Sequence, residues 1–132
     1  MMRRVFLGGT CNNSTWRDEL KKQVSIEMFN PVVENWTKEC YDLEMVEKED
    51  KCDIHLYVIT SRMKNVFSIA EVMDSVHNQS KTTIFQVIPD GFDEGNMKSL
   101  QAVVDLVKYR GGIAYVDSKL ERTANILNTM FT

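Results

Sequence analysis

Short apolar runs alternate along the chain with longer segments whose apolar residues recur every three or four positions. An apolar run bounded by glycine, proline or polar residues is typical of a buried strand, and the longer period indicates an amphipathic helix. The runs predict strands at residues 4–8, 27–33, 53–60, 82–88 and 112–116. The periodic segments predict helices at residues 15–24, 35–50, 66–76, 97–110 and 120–131. We therefore expect strand and helix to alternate about five times.

This alternation predicts an α/β fold in one domain. Strands joined through helices run parallel, and right-handed crossovers put helices on the faces of the sheet. Strands that are apolar throughout fit a sheet covered on both sides. A closed barrel of this kind needs about eight strand–helix units in about 250 residues, so a chain of 132 residues favours an open sheet. We expect a single domain, residues 1–132, built as a doubly wound sheet of about five mainly parallel strands with helices on both faces.

The net charge and the hydropathy of the chain argue against two classes of partner, nucleic acids and membranes. The net charge is −3, so no basic field attracts a phosphate backbone, which argues against nucleic-acid binding. The apolar runs are far shorter than the roughly 20 residues that a membrane span needs. The apolar run at residues 5–7 is too short for the core of a signal peptide. We therefore expect a cytoplasmic protein without a nucleic-acid or membrane partner.

The three cysteines, Cys11, Cys40 and Cys52, are widely spaced. A disulfide framework in a secreted chain uses an even number of cysteines, and a zinc site uses ligands paired at short spacing. Neither pattern is present. We therefore interpret the cysteines as reduced structural thiols of a cytosolic protein, and we expect no metal or other cofactor.

The loop after the first strand is a candidate ligand site. In an open parallel sheet, ligands bind beyond the carboxyl ends of the strands, where the connections diverge. Gly8, Gly9 and Thr10 occupy that position. Glycine lets the backbone approach a ligand closely, and the next helix offers free N–H groups to an anion. The loop has neither a dinucleotide-binding nor a P-loop motif, so a tight turn without a ligand explains it equally well.

Glu71 is the strongest candidate for a chemically active group. It lies one turn into the helix after the third strand, and its neighbours Ile69, Ala70, Val72 and Met73 are apolar. A solvated helix face would carry further charges among them. The helix start would help to keep this carboxylate ionised, whereas apolar walls would raise its pKa. The alternative is an acid that only stabilises the helix dipole.

Two features before the third strand have open interpretations. Residues 44–50 form an acidic run, which is typical of a solvated helix face. Trp36 is a candidate for stacking on a base, but it fits the apolar stripe of the second helix equally well.

Four short segments come in an order that carries a family resemblance. They are RVFLGGT at residues 4–10, NPVV at 30–33 with Trp36 behind it, DIHLYVI at 53–59 and SIAEV at 68–72. Their order resembles that of the small nucleoside 2-deoxyribosyltransferase-like proteins, which include nucleotide N-glycosidases. The resemblance extends from the first strand to the fourth. It implies a flavodoxin-like sheet, and a homo-oligomer, because sites of this family are often completed by a neighbouring subunit.

The resemblance also implies roles for individual residues. Glu71 matches the glutamate that attacks the anomeric carbon of a deoxyribosyl group. Glu44 or Glu47 is nearest to the acid that assists the leaving base. The other implied contacts are Gly8, Gly9 and Thr10 beside the nucleotide, and Asn65 or Ser68 at the 5′ end of the sugar.

The predicted activity is cleavage or transfer at the N-glycosidic bond of a (deoxy)nucleoside or nucleotide. Deoxyribosyl transfer is favoured over hydrolysis, and Arg62 and Lys64 lie in the loop that would approach a 5′-phosphate. Two other hypotheses stay open. One is a module that binds a nucleotide without turnover. The other is an NAD-cleaving enzyme resembling TIR domains, which also use a helix glutamate on a flavodoxin-like sheet.

Overall fold

One parallel sheet is the framework of the molecule. The computed structural model describes residues 3–11, 14–33, 35–64 and 66–131. Within these residues the strands are β1 (Arg4–Gly9), β2 (Glu27–Phe29), β3 (Ile54–Ile59), β4 (Thr82–Val87) and β5 (Ile113–Val116). They lie in the order β2-β1-β3-β4-β5, and every pairing is parallel. This is the flavodoxin-like order, in which the connections diverge between β1 and β3. The predicted fold class is confirmed.

Five helices flank the sheet in the described residues, and side-chain caps set the first residues of two of them. They are α1 (Trp16–Lys21), α2 (Lys38–Val46), α3 (Phe67–Val76), α4 (Glu94–Tyr109) and α5 (Glu121–Phe131), and α2 continues into a π-helical turn at Glu47–Lys51. The Thr37 side chain accepts a hydrogen bond from the backbone N–H of Cys40, and Asp93 accepts one from Asn96. These caps explain why α2 begins after the predicted residue 35 and α4 before the predicted residue 97.

β2 is shorter than the predicted strand at residues 27–33. The backbone N–H of Val32 donates to Oδ1 of Asn30 at 3.0 Å, a local bond that turns the chain. Pro31 has no N–H to offer to a neighbouring strand. The strand therefore ends at Phe29, and residues 31–33 leave the sheet and line the cleft described below.

Side chains that alternate along the strands form two hydrophobic cores, one on each face of the sheet. One core joins the sheet to α1 and α5 and contains Val5, Leu7, Trp16, Leu20 and Leu127. The other joins the sheet to α3 and α4 and contains Phe6, Tyr57, Val72, Val104 and Val107. Helices therefore cover both faces, as predicted. α2 contributes no buried residue to either core.

A buried hydrogen-bond chain ties the π-helical turn to β3, α3 and β4. Nε2 of His55 lies 2.7 Å from the carbonyl oxygen of Lys48, and its Nδ1 lies 2.7 Å from Oγ of Ser75. A carbonyl only accepts, so Nε2 carries a proton. Burial favours the neutral imidazole, in which Nδ1 accepts from Ser75. Ser75 then accepts from Thr83, whose Oγ1 lies 2.7 Å away.

Acidification should therefore destabilise the protein through His55. Burial is the main cause that lowers the pKa of His55 from 6.5 to about 4. As the pH falls, His55 of the unfolded chain takes up a proton before His55 of the folded protein does. The contribution of neutral His55 to the free energy of unfolding is therefore complete above pH 6.5 and decreases below it. It is lost at about pH 4, for a total of roughly 3 kcal/mol.

Urea unfolding at a series of pH values measures this contribution. The stability of wild type should fall more steeply with acidification than that of His55→Gln, whose side chain does not titrate. The exposed His77 offers a control, because His77→Gln should follow wild type. Parallel profiles for wild type and His55→Gln would contradict the assignment.

Candidate active site

A cleft of about 570 Å³ opens at the carboxyl ends of β1 and β3. It lies where the connections of the sheet diverge, which is the usual ligand position in this fold. Of the residues singled out in the sequence, those that line it are Gly8, Gly9, Thr10, Trp36, Glu44, Ser68 and Glu71. Asn65 lies outside the described residues. Lys64 also lines the cleft, whereas Arg62 is exposed and is not among the lining residues.

The two glycines allow β1 to approach β3 closely. A Cβ on Gly8 would lie 2.5 Å from the ring of Tyr57, and a Cβ on Gly9 would lie 2.1 Å from the carbonyl oxygen of Val58. Gly9 also has a φ of +108°, which other residues rarely adopt. The backbone N–H of Thr10 then donates to Val58 at 2.9 Å. The glycines therefore serve the strand pairing that forms the floor of the cleft.

Arg17 holds β1 and the loop after it through hydrogen bonds to backbone carbonyls. Its side chain is buried, with Nη1 donating to the carbonyl of Thr10 at 2.7 Å and Nε and Nη2 donating to Leu7 at 3.2 and 3.0 Å. Nε1 of Trp16 donates to the same Thr10 carbonyl at 3.0 Å. Nη2 of Arg17 also lies 3.8 Å from Sγ of Cys11. Because its shorter hydrogen bonds go to backbone carbonyls, the sequence held no pattern that would have singled out Arg17.

Glu71 faces the cleft from α3. Ser68 lies one helical turn before it, so the two side chains share a face, and both line the cleft. The Glu71 side chain is 16% exposed, and its Oε2 lies 3.3 Å from Nζ of Lys48. Burial raises the pKa of Glu71, the ammonium of Lys48 opposes this, and the charges of Glu44 and Asp74 add to it. Glu71 is therefore an acid that is mostly buried, faces the cleft and is paired with a cation.

Lys48 is the site residue that the sequence interpretation missed. It belongs to the acidic run 44–50, which was expected to be a solvated face, but Glu47 and Lys48 are 7% and 3% exposed. The π-helical turn changes the angular spacing of side chains relative to an α-helix. Glu47 then pairs with Arg4 at 3.2 Å and does not line the cleft. Of the two acids considered for assisting a leaving base, only Glu44 lies in the cleft.

Glu44 lies beside an aromatic wall. Nε1 of Trp36 donates to Oε2 of Glu44 at 3.0 Å. The ring of Trp36 meets that of Tyr41 edge-on at 5.7 Å, and Tyr41 lies 6.4 Å from Phe67. Trp36 precedes α2 and is 57% exposed, so it is not part of a buried stripe. Burial raises the pKa of Glu44, and the bond from Trp36 opposes this.

The arrangement combines two carboxyl groups of raised pKa with a wall of three aromatic rings. Such a pair can divide the tasks of nucleophile and acid, since Glu71 contacts an ammonium group and Glu44 contacts the neutral indole of Trp36. In the described part of the chain, no group of three or more His, Cys, Asp or Glu side chains could hold a metal ion. None of the described helices is long and apolar enough to span a bilayer.

Comparison with known proteins identifies the family of the chain. A family model described as nucleoside 2-deoxyribosyltransferase like matches residues 2–90, which is more than half of the chain. The matched region contains the β1 loop, Trp36, Glu44, Lys48 and the whole of α3. No curated protein matches the sequence. The chain therefore belongs to the nucleoside 2-deoxyribosyltransferase-like family.

Proposed function

We propose that this protein breaks the N-glycosidic bond of a (deoxy)nucleoside or nucleotide through Glu71 and transfers the deoxyribosyl group to another base. The observation that carries the proposal is Glu71 itself, which is mostly buried at the switch point of the sheet and faces a cleft shared with Glu44. The cleft volume of about 570 Å³ lies within the usual range for small-molecule sites. Membership of the family supports this class of chemistry.

The reaction proceeds in two displacements. The Glu71 carboxylate attacks C1′ of the sugar, the C1′–N bond breaks, and the electron pair goes to the leaving base. Glu44 gives its proton to a ring nitrogen of that base. An incoming base then attacks C1′ of the glycosyl ester, returns its proton to Glu44 and releases Glu71. Water in place of the incoming base gives hydrolysis.

The cleft offers each part of a nucleoside a matching surface. The rings of Trp36, Tyr41 and Phe67 provide an apolar wall on which a base can stack. Ser68 lies one turn before Glu71, in a position to bind the 5′ end of a sugar held over Glu71. The chain from Gly8 to Thr10 lines the floor of the cleft.

A substrate panel tests the proposal. The protein is incubated with deoxynucleosides and their 5′-monophosphates, with and without free bases, and the products are separated by chromatography. Base exchange supports the transferase. Release of base without an acceptor assigns a hydrolase instead. Binding without any product would leave a nucleotide-binding module, and NAD is included because its hydrolysis would indicate the TIR-like alternative.

Glu44→Gln should slow the reaction by roughly 100-fold or more, because the leaving base is no longer protonated. The defect should shrink with 7-methyl-2′-deoxyguanosine, whose cationic base leaves without a proton. Values of kcat/KM for the two substrates measure this difference. Glu39→Gln removes an exposed acid from the same helix and should behave as wild type. An equal defect on both substrates would exclude Glu44 as the acid.

A further inference from the structure

Lys48 lies where it can control the reactivity of Glu71. We propose that Lys48 is a positioning residue, which holds Oε2 of Glu71 with its ammonium group and leaves Oε1 to attack the sugar. This inference rests on the proposed function, since it assigns a task to a neighbour of the proposed nucleophile. It adds a residue from outside α3 to the reaction.

The contact between the two side chains is direct and sheltered. Nζ of Lys48 lies 3.3 Å from Oε2 of Glu71, and the Lys48 side chain is only 4% exposed. A buried ammonium is unfavourable unless it is paired, and Glu71 is its hydrogen-bond partner among the described residues. Nζ also lies 6.0 Å from the centre of the Phe6 ring, a weak cation–π contact. The Lys48 side chain is therefore held with its ammonium group toward Glu71.

The backbone of Lys48 is fixed as firmly as its side chain. Its carbonyl accepts the hydrogen bond from His55, and His55 is bonded in turn to Ser75. Ser75 lies on α3, one turn after Glu71. The same network thus holds the helix that carries Glu71 and the turn that carries Lys48. Relative movement of these two backbone segments would break buried hydrogen bonds.

Lys48 is the cation that contacts Glu71. The other charged or titratable groups that face Glu71 or line the same cleft are Glu44, Asp74, Tyr41, Tyr57, Lys64, Arg17 and Cys11. Burial and the charges of Glu44 and Asp74 favour a protonated Glu71, and the charge of Lys48 opposes them. A protonated carboxyl would not attack C1′. Loss of the Lys48 charge should therefore remove the reactive form at pH values where wild type is active.

Replacement of Lys48 by methionine keeps most of its shape and removes the charge. In Lys48→Met, the acid limb of the kcat/KM–pH profile should move up by about one pH unit or more. Lys48→Gln, which keeps a hydrogen-bond donor without charge, should move it in the same direction, and Lys48→Arg should restore the wild-type limb. Lys38→Met is the matched control, because Lys38 pairs with Asp42 on the exposed face of α2.

A direct titration of Glu71 separates this inference from the proposed function. The carboxyl carbon of Glu71, labelled with ¹³C, is followed by NMR without substrate and is assigned from its loss in Glu71→Gln. Its midpoint should rise in Lys48→Met and Lys48→Gln and stay near wild type in Lys48→Arg. An unchanged midpoint in both neutral variants overturns the role of Lys48. A wild-type protein that turns over no substrate overturns the proposed function and leaves this titration valid.

Discussion

Glu71→Gln should lower base exchange by at least about 1000-fold while the protein stays folded. Glutamine has nearly the same shape as glutamate, but its amide oxygen is a poor nucleophile and cannot form the glycosyl ester. Its carbonyl oxygen can still accept the hydrogen bond from Lys48, which limits the cost of leaving a buried ammonium without a charged partner. Single-turnover assays with a good substrate measure the loss, and thermal unfolding checks the fold.

Asp74→Asn is the matched control for Glu71→Gln. Asp74 lies on the same helix and is exposed, and its replacement makes the same change in charge. It should retain most of the exchange activity. Intact mass spectrometry gives a second readout, because wild type incubated without an acceptor base should gain one deoxyribosyl group and Glu71→Gln should not. Substantial exchange by Glu71→Gln, or an equal loss in Asp74→Asn, would refute the proposed nucleophile.

The sheet and the position of Glu71 could be predicted because both depend on local patterns. A parallel sheet covered by helices needs strands that are apolar throughout, such as residues 54–59, and these stand out in the sequence. On α3, Val72 and Val76 turn toward the core, and Glu71 is an acid placed beside that apolar face. The strand ends then put Glu71 at the cleft. Its catalytic role stays a prediction.

The partners of Glu71 could not be predicted, because they depend on contacts distant in sequence. Lys48 stands among acids and has the spacing of a solvated face. Its burial depends on a π-helical turn and on a histidine that accepts from α3 and donates to the backbone. Arg17 likewise bonds to backbone carbonyls, which every residue possesses. Sequence patterns report periodicity and residue type, and they do not report which carbonyl a buried cation meets.

Gly9→Ala should lower the free energy of unfolding by roughly 2–4 kcal/mol, which is a large share of the stability of a typical domain. Two effects contribute. The φ of +108° is strained for alanine, and the new Cβ would lie 2.1 Å from the carbonyl oxygen and 2.7 Å from the nitrogen of Val58. Both neighbours are backbone atoms of β3, so relief requires β1 and β3 to separate at the floor of the cleft. Urea unfolding measures the loss.

Gly111→Ala separates the two effects, because Gly111 has a similar φ of +94° and nothing lies within 4 Å of its added Cβ. That variant should be destabilised only by the strain of the left-handed backbone, by about 1–2 kcal/mol. It should also keep full exchange activity, since Gly111 is not among the residues that line the cleft. Gly9→Ala should lose activity beyond its loss of stability, because parting of the strands displaces Thr10 from its bond to Val58. Equal destabilisation by the two variants would mean that β1 and β3 can part freely, and that the close approach of these strands does not hold the cleft in shape.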